Sequence, residues 1–211
     1  MEVTPWGFES PLSHMYMIKI LLFFLLSCTP VFALRIDPNA SSFGLREKRH
    51  VEVFDFQGEY PNLAHVDIDA KRKKDVELLL NGSYPLLEEI NFEGGFGTIK
   101  GDLSGSFPKL NEVAISCTDA DLILDLQAKW ERECVINIIG TGDMEITLPK
   151  DVGLFVTISS SPFAKIHNTH PSLLQRKRKI AQRIFLTPVE EGKERLLKIA
   201  ITATRGEITL K

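Results

Sequence analysis

Gly58-Glu59-Tyr60-Pro61-Asn62-Leu63 returns as Gly82-Ser83-Tyr84-Pro85-Leu86-Leu87 and again as Gly105-Ser106-Phe107-Pro108-Lys109-Leu110. The spacings are 24 and 23 residues, and a further step of 23 sets Trp130 on the aromatic position without the Gly or Pro. Self-similarity at such a period marks a repeat architecture. Each unit carries two alternating segments. Val66-x-Ile68 precedes Val76-x-Leu78-x-Leu80, and Ile90-x-Phe92 precedes Ile99-x-x-x-Leu103. Val113-x-Ile115 precedes Leu122-x-Leu124-x-Leu126, and Ile136-x-Ile138 precedes Met144-x-Ile146-x-Leu148. Leu154-x-Val156-x-Ile158 opens a fifth unit. Alternation with period two is the strand signature, since successive side chains point to opposite faces. Gly, Asn, Asp and Pro between the runs supply turns.

One unit buries too few aliphatic side chains to offset the entropy of ordering its own two dozen residues. Neighbouring units that share a core and strand hydrogen bonds can do so together. The expected fold is therefore all-β, a β-solenoid-like stack of short strands over residues 58–160. Residues 34–57 form an N-terminal cap segment in this reading, and 161–196 a basic insertion. Residues 197–211 supply a closing strand pair, because Glu207-Ile208-Thr209-Leu210 repeats Glu145-Ile146-Thr147-Leu148. The cap segment and the closing pair are expected to cover the two open ends of the stack.

Gly142-Asp143-Met144-Glu145-Ile146-Thr147-Leu148-Pro149 is followed by Asp151-Val152-Gly153-Leu154-Phe155-Val156-Thr157-Ile158, and the chain closes with Arg205-Gly206-Glu207-Ile208-Thr209-Leu210. These segments resemble the "toastrack" family of bacterial envelope proteins, often labelled adhesins. The resemblance covers about residues 58–160 and the last dozen. It implies an exported all-β repeat domain without established catalysis. The chain departs from that pattern over 159–196.

Composition sets outer bounds. The 211 residues are 44% apolar and 25% charged, which excludes a disordered tail, a collagen-like rod and a multi-pass membrane protein. A pI near 6.0 excludes a uniformly basic nucleic-acid binder. Three cysteines are too few for a disulfide-dense miniprotein.

Lys19 precedes the apolar run Ile20-Leu21-Leu22-Phe23-Phe24-Leu25-Leu26, and Val31-Phe32-Ala33 follows shortly after. The run is too short to span a bilayer. Together with residues 1–18, it reads as an N-terminal extension and secretory signal peptide over 1–33, cleaved after Ala33. Met15 and Met17 are alternative starts. Leu25-Leu26-Ser27-Cys28 offers a rival reading as a bacterial lipobox, with Cys28 lipidated and the protein anchored to the outer membrane.

Between Asp151 and Glu190 lie 38 residues without a carboxylate side chain, holding Lys165, Arg176, Lys177, Arg178, Lys179 and Arg183. Such asymmetry suggests contact with something acidic. Ser172 and Gln175 read as a capping box, which predicts a helix over about 173–185 with its basic face outward. A solvated face is the bland reading; an anionic lipid or lipopolysaccharide headgroup surface is the sharper one, with contacts at Arg176, Lys177, Arg178, Lys179 and Arg183. Nucleic acid is not expected. Arg46 to Arg49 and Lys71 to Lys74 read as solvated turns.

No catalytic motif stands out. Gly94-Gly95-Phe96-Gly97 lacks the Lys-Ser/Thr of a phosphate loop and reads as a tight strand connection. His167 and His170 have no Cys or acidic neighbour in sequence that would complete a metal site. Asp121 and Asp125 share strand parity about 13 Å apart, too far for paired glycosidase acids. Cys117 and Cys134 share parity with inward residues. Aligning the units sets Cys134 over Asn111, six positions from Cys117, so the two thiols should stay apart. The function these residues suggest is that of an exported, non-catalytic bacterial envelope protein with a structural or adhesin-like binding role. No cofactor is expected. An envelope protein, a glycan or an anionic lipid surface would be the partner, in the periplasm or at the cell surface. The alternatives are a lipid-anchored lipoprotein and a carbohydrate-active β-solenoid enzyme.

Overall fold

The computed structural model describes residues 33–35, 37–46, 53–179, 181–188 and 196–211. Three short strands, β1 (Ala33–Arg35), β2 (Ser42–Arg46) and β3 (Val53–Asp55), precede two long ones, β4 (His65–Leu79) and β5 (Glu89–Asp102). Shorter pairs follow, β6 (Glu112–Cys117) with β7 (Ala120–Asp125), then β8 (Cys134–Gly140) with β9 (Met144–Thr147). Next come β10 (Leu154–Ser160), β11 (Lys165–Asn168), β12 (Leu174–Arg178) and β13 (Gln182–Leu186). The last two are β14 (Leu197–Ala203) and β15 (Glu207–Leu210). All belong to one curled, half-barrel sheet, and no helix occurs among the described residues. The all-β expectation agrees with this.

Strands of successive units lie side by side, parallel and in register. His65 faces Glu89, Glu89 faces Glu112, and Glu112 faces Val135. This register puts like residues above one another. Val66, Ile90, Val113, Ile136, Ile199 and Val156 form one buried column. Ile68, Phe92, Ile115, Ile138, Ile201 and Ile158 form a second. β-Branched side chains dominate both, as suits packing on a pleated surface. The second segments pair likewise: Ile99 faces Leu122, Leu122 faces Met144, and Met144 faces Ile208.

β4 and β5 each serve both ladders. The first half of β5 pairs with β6 and the second half with β7. The bend between them falls at Gly94-Gly95-Phe96-Gly97, so this stretch is a kink inside a strand and not a connection between two. A side chain at Gly95 would strike the Lys71 carbonyl, so only glycine lets the backbones approach there. Lys71 to Lys74 likewise lie within β4 and not in a turn, with Lys71 paired to Glu93 on the next strand. Arg46 ends β2, and residues 47–49 lie outside the described residues.

The repeated Gly-x-aromatic-Pro turns also align. Glu59, Ser83, Ser106 and Lys129 join in consecutive bridges. Beneath them Tyr60, Tyr84, Phe107 and Trp130 stack, with centroids 5.6, 5.1 and 6.1 Å apart. Such separations are the favourable range for aromatic pairs. The Tyr84 hydroxyl donates to the Phe56 carbonyl, and Trp130 Nε1 donates to the Leu126 carbonyl at 2.9 Å. Asp55, Asp102 and Asp125 close the preceding turns by accepting from the backbone two residues on, at 2.9, 3.0 and 2.9 Å.

Two larger expectations also fail. The first concerns the closing strand pair. β14 pairs with β8 on one side and β10 on the other, and β15 lies between β9 and β11. The last unit is therefore an interior layer, not a cover. β11 also completes a layer with β10, although its residues fall within the segment read as an insertion. At the other end β2 and β3 pair with β4, and β1 pairs with β3.

The second concerns the helix over 173–185. That segment holds β12 and β13, an antiparallel hairpin laid on β10. Without it β10 would present a row of unpaired backbone groups. Pairing Val156 with Phe185 and Thr157 with Ile184 satisfies them and buries Phe185. The sheet edge thus overrides the local capping signal at Ser172 and Gln175.

Cys117 and Cys134 are both buried and free. Val135 faces Glu112, which keeps Cys134 level with Asn111 and remote from Cys117, as the unit alignment predicts. Burial pushes both thiols up to about 12, with Glu112 adding to the effect at Cys134. Unfolded thiols ionise near 8.5. Between about pH 9 and 12 the unfolded chain therefore holds fewer protons than the native one, so stability falls as pH rises. The loss is up to about 1.4 kcal/mol per pH unit for each thiol. The urea midpoint should drop steadily above about pH 9, and alkylation should reach Cys117 and Cys134 only in the unfolded chain. A flat midpoint, or alkylation of the native protein, would contradict the burial of these thiols.

Candidate functional surface

The five basic residues singled out in the sequence converge on one end of the sheet. The first ladder extends two strands beyond β10, through β13 to β12, whereas the second stops at β11. The two ladders therefore end at different strands on that side, and the core there is closed by buried Leu173 and Phe185. Arg178 stands opposite Arg183, and Arg183 stands opposite Ile158. Arg183 thus continues the column that runs from Ile68 to Ile158, so a buried row of aliphatics ends in two guanidinium groups. Arg178, Lys179, Arg183 and Pro162 line a depression of about 500 Å³ there. Arg176 falls in the register shift between Gln175 and Lys177, and all of β12 is exposed. None of the five makes an ion pair with a described residue.

The neighbouring loop adds an apolar tip. Ala164 N donates to the Ser161 carbonyl at 3.2 Å, closing a turn with Pro162 and Phe163 at its centre. Phe163 is 93% exposed, the most exposed large apolar side chain described. Ser160 N donates to the Ala181 carbonyl at 3.0 Å, which ties this loop to the hairpin tip. Sequence reasoning missed Phe163. Its signal was a Ser-Pro-Phe turn that breaks the strand alternation after Ile158.

The root of the hairpin is rigidly held. The Asn168 side-chain amide donates to the Leu173 carbonyl at 2.7 Å. His170 is buried, its Nε2 lies 3.2 Å from the Pro149 carbonyl, and its Nδ1 accepts from Ser172 N at 3.4 Å. Burial holds the imidazole below its ordinary value, with Lys150 acting in the same direction. A neutral ring with both nitrogens engaged is therefore a structural clasp. His167 lies apart from it, exposed and 3.4 Å from Glu207.

Two carboxylates, Asp67 and Glu93, line a second depression of about 320 Å³ together with Asn91, Ser116 and Asn137. Asp121 and Asp125 share the outer face of β7, as expected. Asp121 Oδ1 accepts from Asp143 N at 2.9 Å, and Asp143 Oδ1 from Glu207 N at 2.7 Å. Asp119 pairs with Arg205 at 2.5 Å. These carboxylates order the turns between layers. Among the described residues, no group of three His, Cys, Asp or Glu gathers in a way that could hold a metal ion. Cys28 and the apolar run over 20–26 lie outside the described residues.

No protein-family profile matches the chain, and no curated protein does. Among solved structures it is similar to a "putative cell adhesion protein" from Clostridium sporogenes, with 16% sequence identity and a TM-score of 0.46. The match covers 66% of this chain and spans 57% of that neighbour's length.

Proposed function

We propose that this chain is an exported bacterial envelope protein of the toastrack type, with a non-catalytic structural or adhesin-like binding role. In this reading the curled sheet is a β-solenoid-like stack, supported by the parallel, in-register pairing of units 23 and 24 residues apart. Aliphatic columns fill the interior, which leaves the outer faces and the basic end for contact. The single observation that carries the binding role is that end: a core column stops at Arg183 and Arg178, cations that no described carboxylate neutralises. An envelope protein, a glycan or an anionic lipid surface would meet it. Export rests on Lys19, the apolar run over 20–26 and Val31-x-Ala33.

Cell fractionation with mass analysis of the mature N-terminus tests the reading. Protein in the periplasm or at the surface, beginning at Leu34, is the expected result. That terminus leaves Leu34 and Arg35 to pair with Phe54 and Asp55. Labelled fatty acid on Cys28 would instead support the lipoprotein alternative. Unprocessed protein in the cytosol would overturn the proposal.

A further inference from the structure

The basic end face has a bland explanation, since Lys and Arg on a terminal strand prevent edge-to-edge association. Terminal repeats also carry a polar outer face for solubility. That account covers Arg176 and Lys177 on β12. It does not cover Arg183, which lies on the inner strand β13 at a position where the six preceding strands of the ladder place Ile or Phe. Nor does it account for Arg178 directly across from Arg183, because like charges facing each other across strands are destabilising. A guard against association works with either sign of charge, yet no carboxylate side chain occurs from 152 to 189. Two guanidinium forks and an ammonium around one depression instead match the oxygens of a phosphate group.

Phe163 narrows the source of that phosphate. A phenyl ring that is 93% exposed on a Pro-initiated turn buries almost nothing in the protein. Beside a cluster of cations it forms the pairing found at bilayer surfaces, an apolar side chain entering the acyl boundary while basic groups hold the headgroups. We propose that Arg178, Lys179 and Arg183 bind the phosphates of anionic lipid headgroups, with Phe163 inserted beside them, so that this end of the sheet docks on a membrane surface. The proposal rests on the reading of the protein as an envelope-binding module, and it adds the partner and the atoms that meet it.

The test is co-sedimentation of the full-length protein with vesicles of phosphatidylglycerol and phosphatidylcholine, against phosphatidylcholine alone, over a range of salt. The apolar run near the N-terminus is common to every variant, so differences between variants report on the end face. Each basic charge near an anionic surface is worth roughly a fivefold change in affinity. The double charge reversal Arg178→Glu/Arg183→Glu should therefore weaken binding to the anionic vesicles by at least about a hundredfold and flatten its salt dependence. Lys100→Glu/Lys129→Glu, with the same charge change at exposed sites away from this end, should change binding little. Phe163→Ser should weaken binding at every salt concentration and leave the salt slope intact. Thermal unfolding checks the fold, and Arg178→Gln/Arg183→Gln provides a milder version that keeps side-chain size.

Equal losses in the two charge-reversed variants would reduce the effect to net charge and overturn the proposal. Unchanged vesicle binding with new self-association would assign these residues to edge protection alone. Full displacement from vesicles by millimolar inorganic phosphate would identify a soluble anion site and also overturn it. Fractionation to the envelope with no vesicle binding would remove this inference and leave the proposed function standing.

Discussion

A chain ending at Leu196 should fail to fold cooperatively. Removal of 197–211 deletes β14 and β15, which lie between earlier layers and not at an end. Leu197, Ile199, Ile201, Ile208 and Leu210 are each at most 1% exposed. Their burial contributes roughly 7–15 kcal/mol at about 1.5–3 kcal/mol per side chain. That is comparable with the whole stability of an ordinary domain, about 5–15 kcal/mol. The loss does not stop there. β8 and β10 would each lose one of their two neighbours and the backbone pairing on that side, exposing Ile136, Ile138, Val156 and Ile158. Circular dichroism with urea titration should show no cooperative transition, and limited proteolysis should cut throughout the chain. If the shortened chain kept a sharp transition at a modestly lower midpoint, β14 would belong at an end of the sheet and the topology given above would be wrong.

Phe107→Ala should cost about 3–5 kcal/mol, the usual range for removing a buried phenyl ring. Phe107 is 1% exposed and sits in the middle of the aromatic column, 5.1 Å from Tyr84 and 6.1 Å from Trp130. The turns above and below it are bridged through Ser106, so the chain cannot close over the gap without moving Ser83 or Lys129. For a protein of this size the melting temperature should fall by roughly 6–20 °C. Phe107→Leu, which keeps more of the volume, should lose clearly less. A change under about 1 kcal/mol for the alanine variant would mean that the column does not bear on stability.

Much of this architecture is written locally in the sequence. Period-two alternation separates inward from outward residues, and Val113, Ile115, Ile136 and Ile138 all face the core as that pattern requires. The Gly-x-aromatic-Pro recurrence fixes the register, because turns of equal shape stack best in phase. That register then predicts where Cys134 lies relative to Cys117. What the pattern cannot specify is which layers are neighbours. Ile199-x-Ile201 fits equally well beside Ile136-x-Ile138 or Val156-x-Ile158, since all three present the same inward pair. Glu207 to Leu210 does neighbour its look-alike at 145–148, but shifted by two residues, with Ile208 opposite Met144.

The hairpin was hidden for a related reason. Leu173, Ile180 and Ile184 have helical spacing behind a capping box, while Ile184-Phe185-Leu186 alone favours a strand. The deciding term is the open edge of β10, which is invisible in a window of a dozen residues. The five cations were legible as a charge asymmetry. Their convergence was not, because it depends on the pairing of Arg178 with Arg183 and of Arg183 with Ile158.

The placement of β14 can be read directly by disulfide trapping at outward positions. Ala200 faces Asn137 on one side and Thr157 on the other. Adjacent strands lie about 4.8 Å apart, within bridging range, whereas strands one further away lie beyond it. Paired cysteines at 137 and 200, and at 200 and 157, should therefore cross-link rapidly on mild oxidation of the native protein, while cysteines at 137 and 157 should not. Non-reducing peptide mapping identifies the bond. Ready cross-linking of 137 to 157, with none to 200, would show that the units stack in chain order and would contradict the fold on which the rest depends.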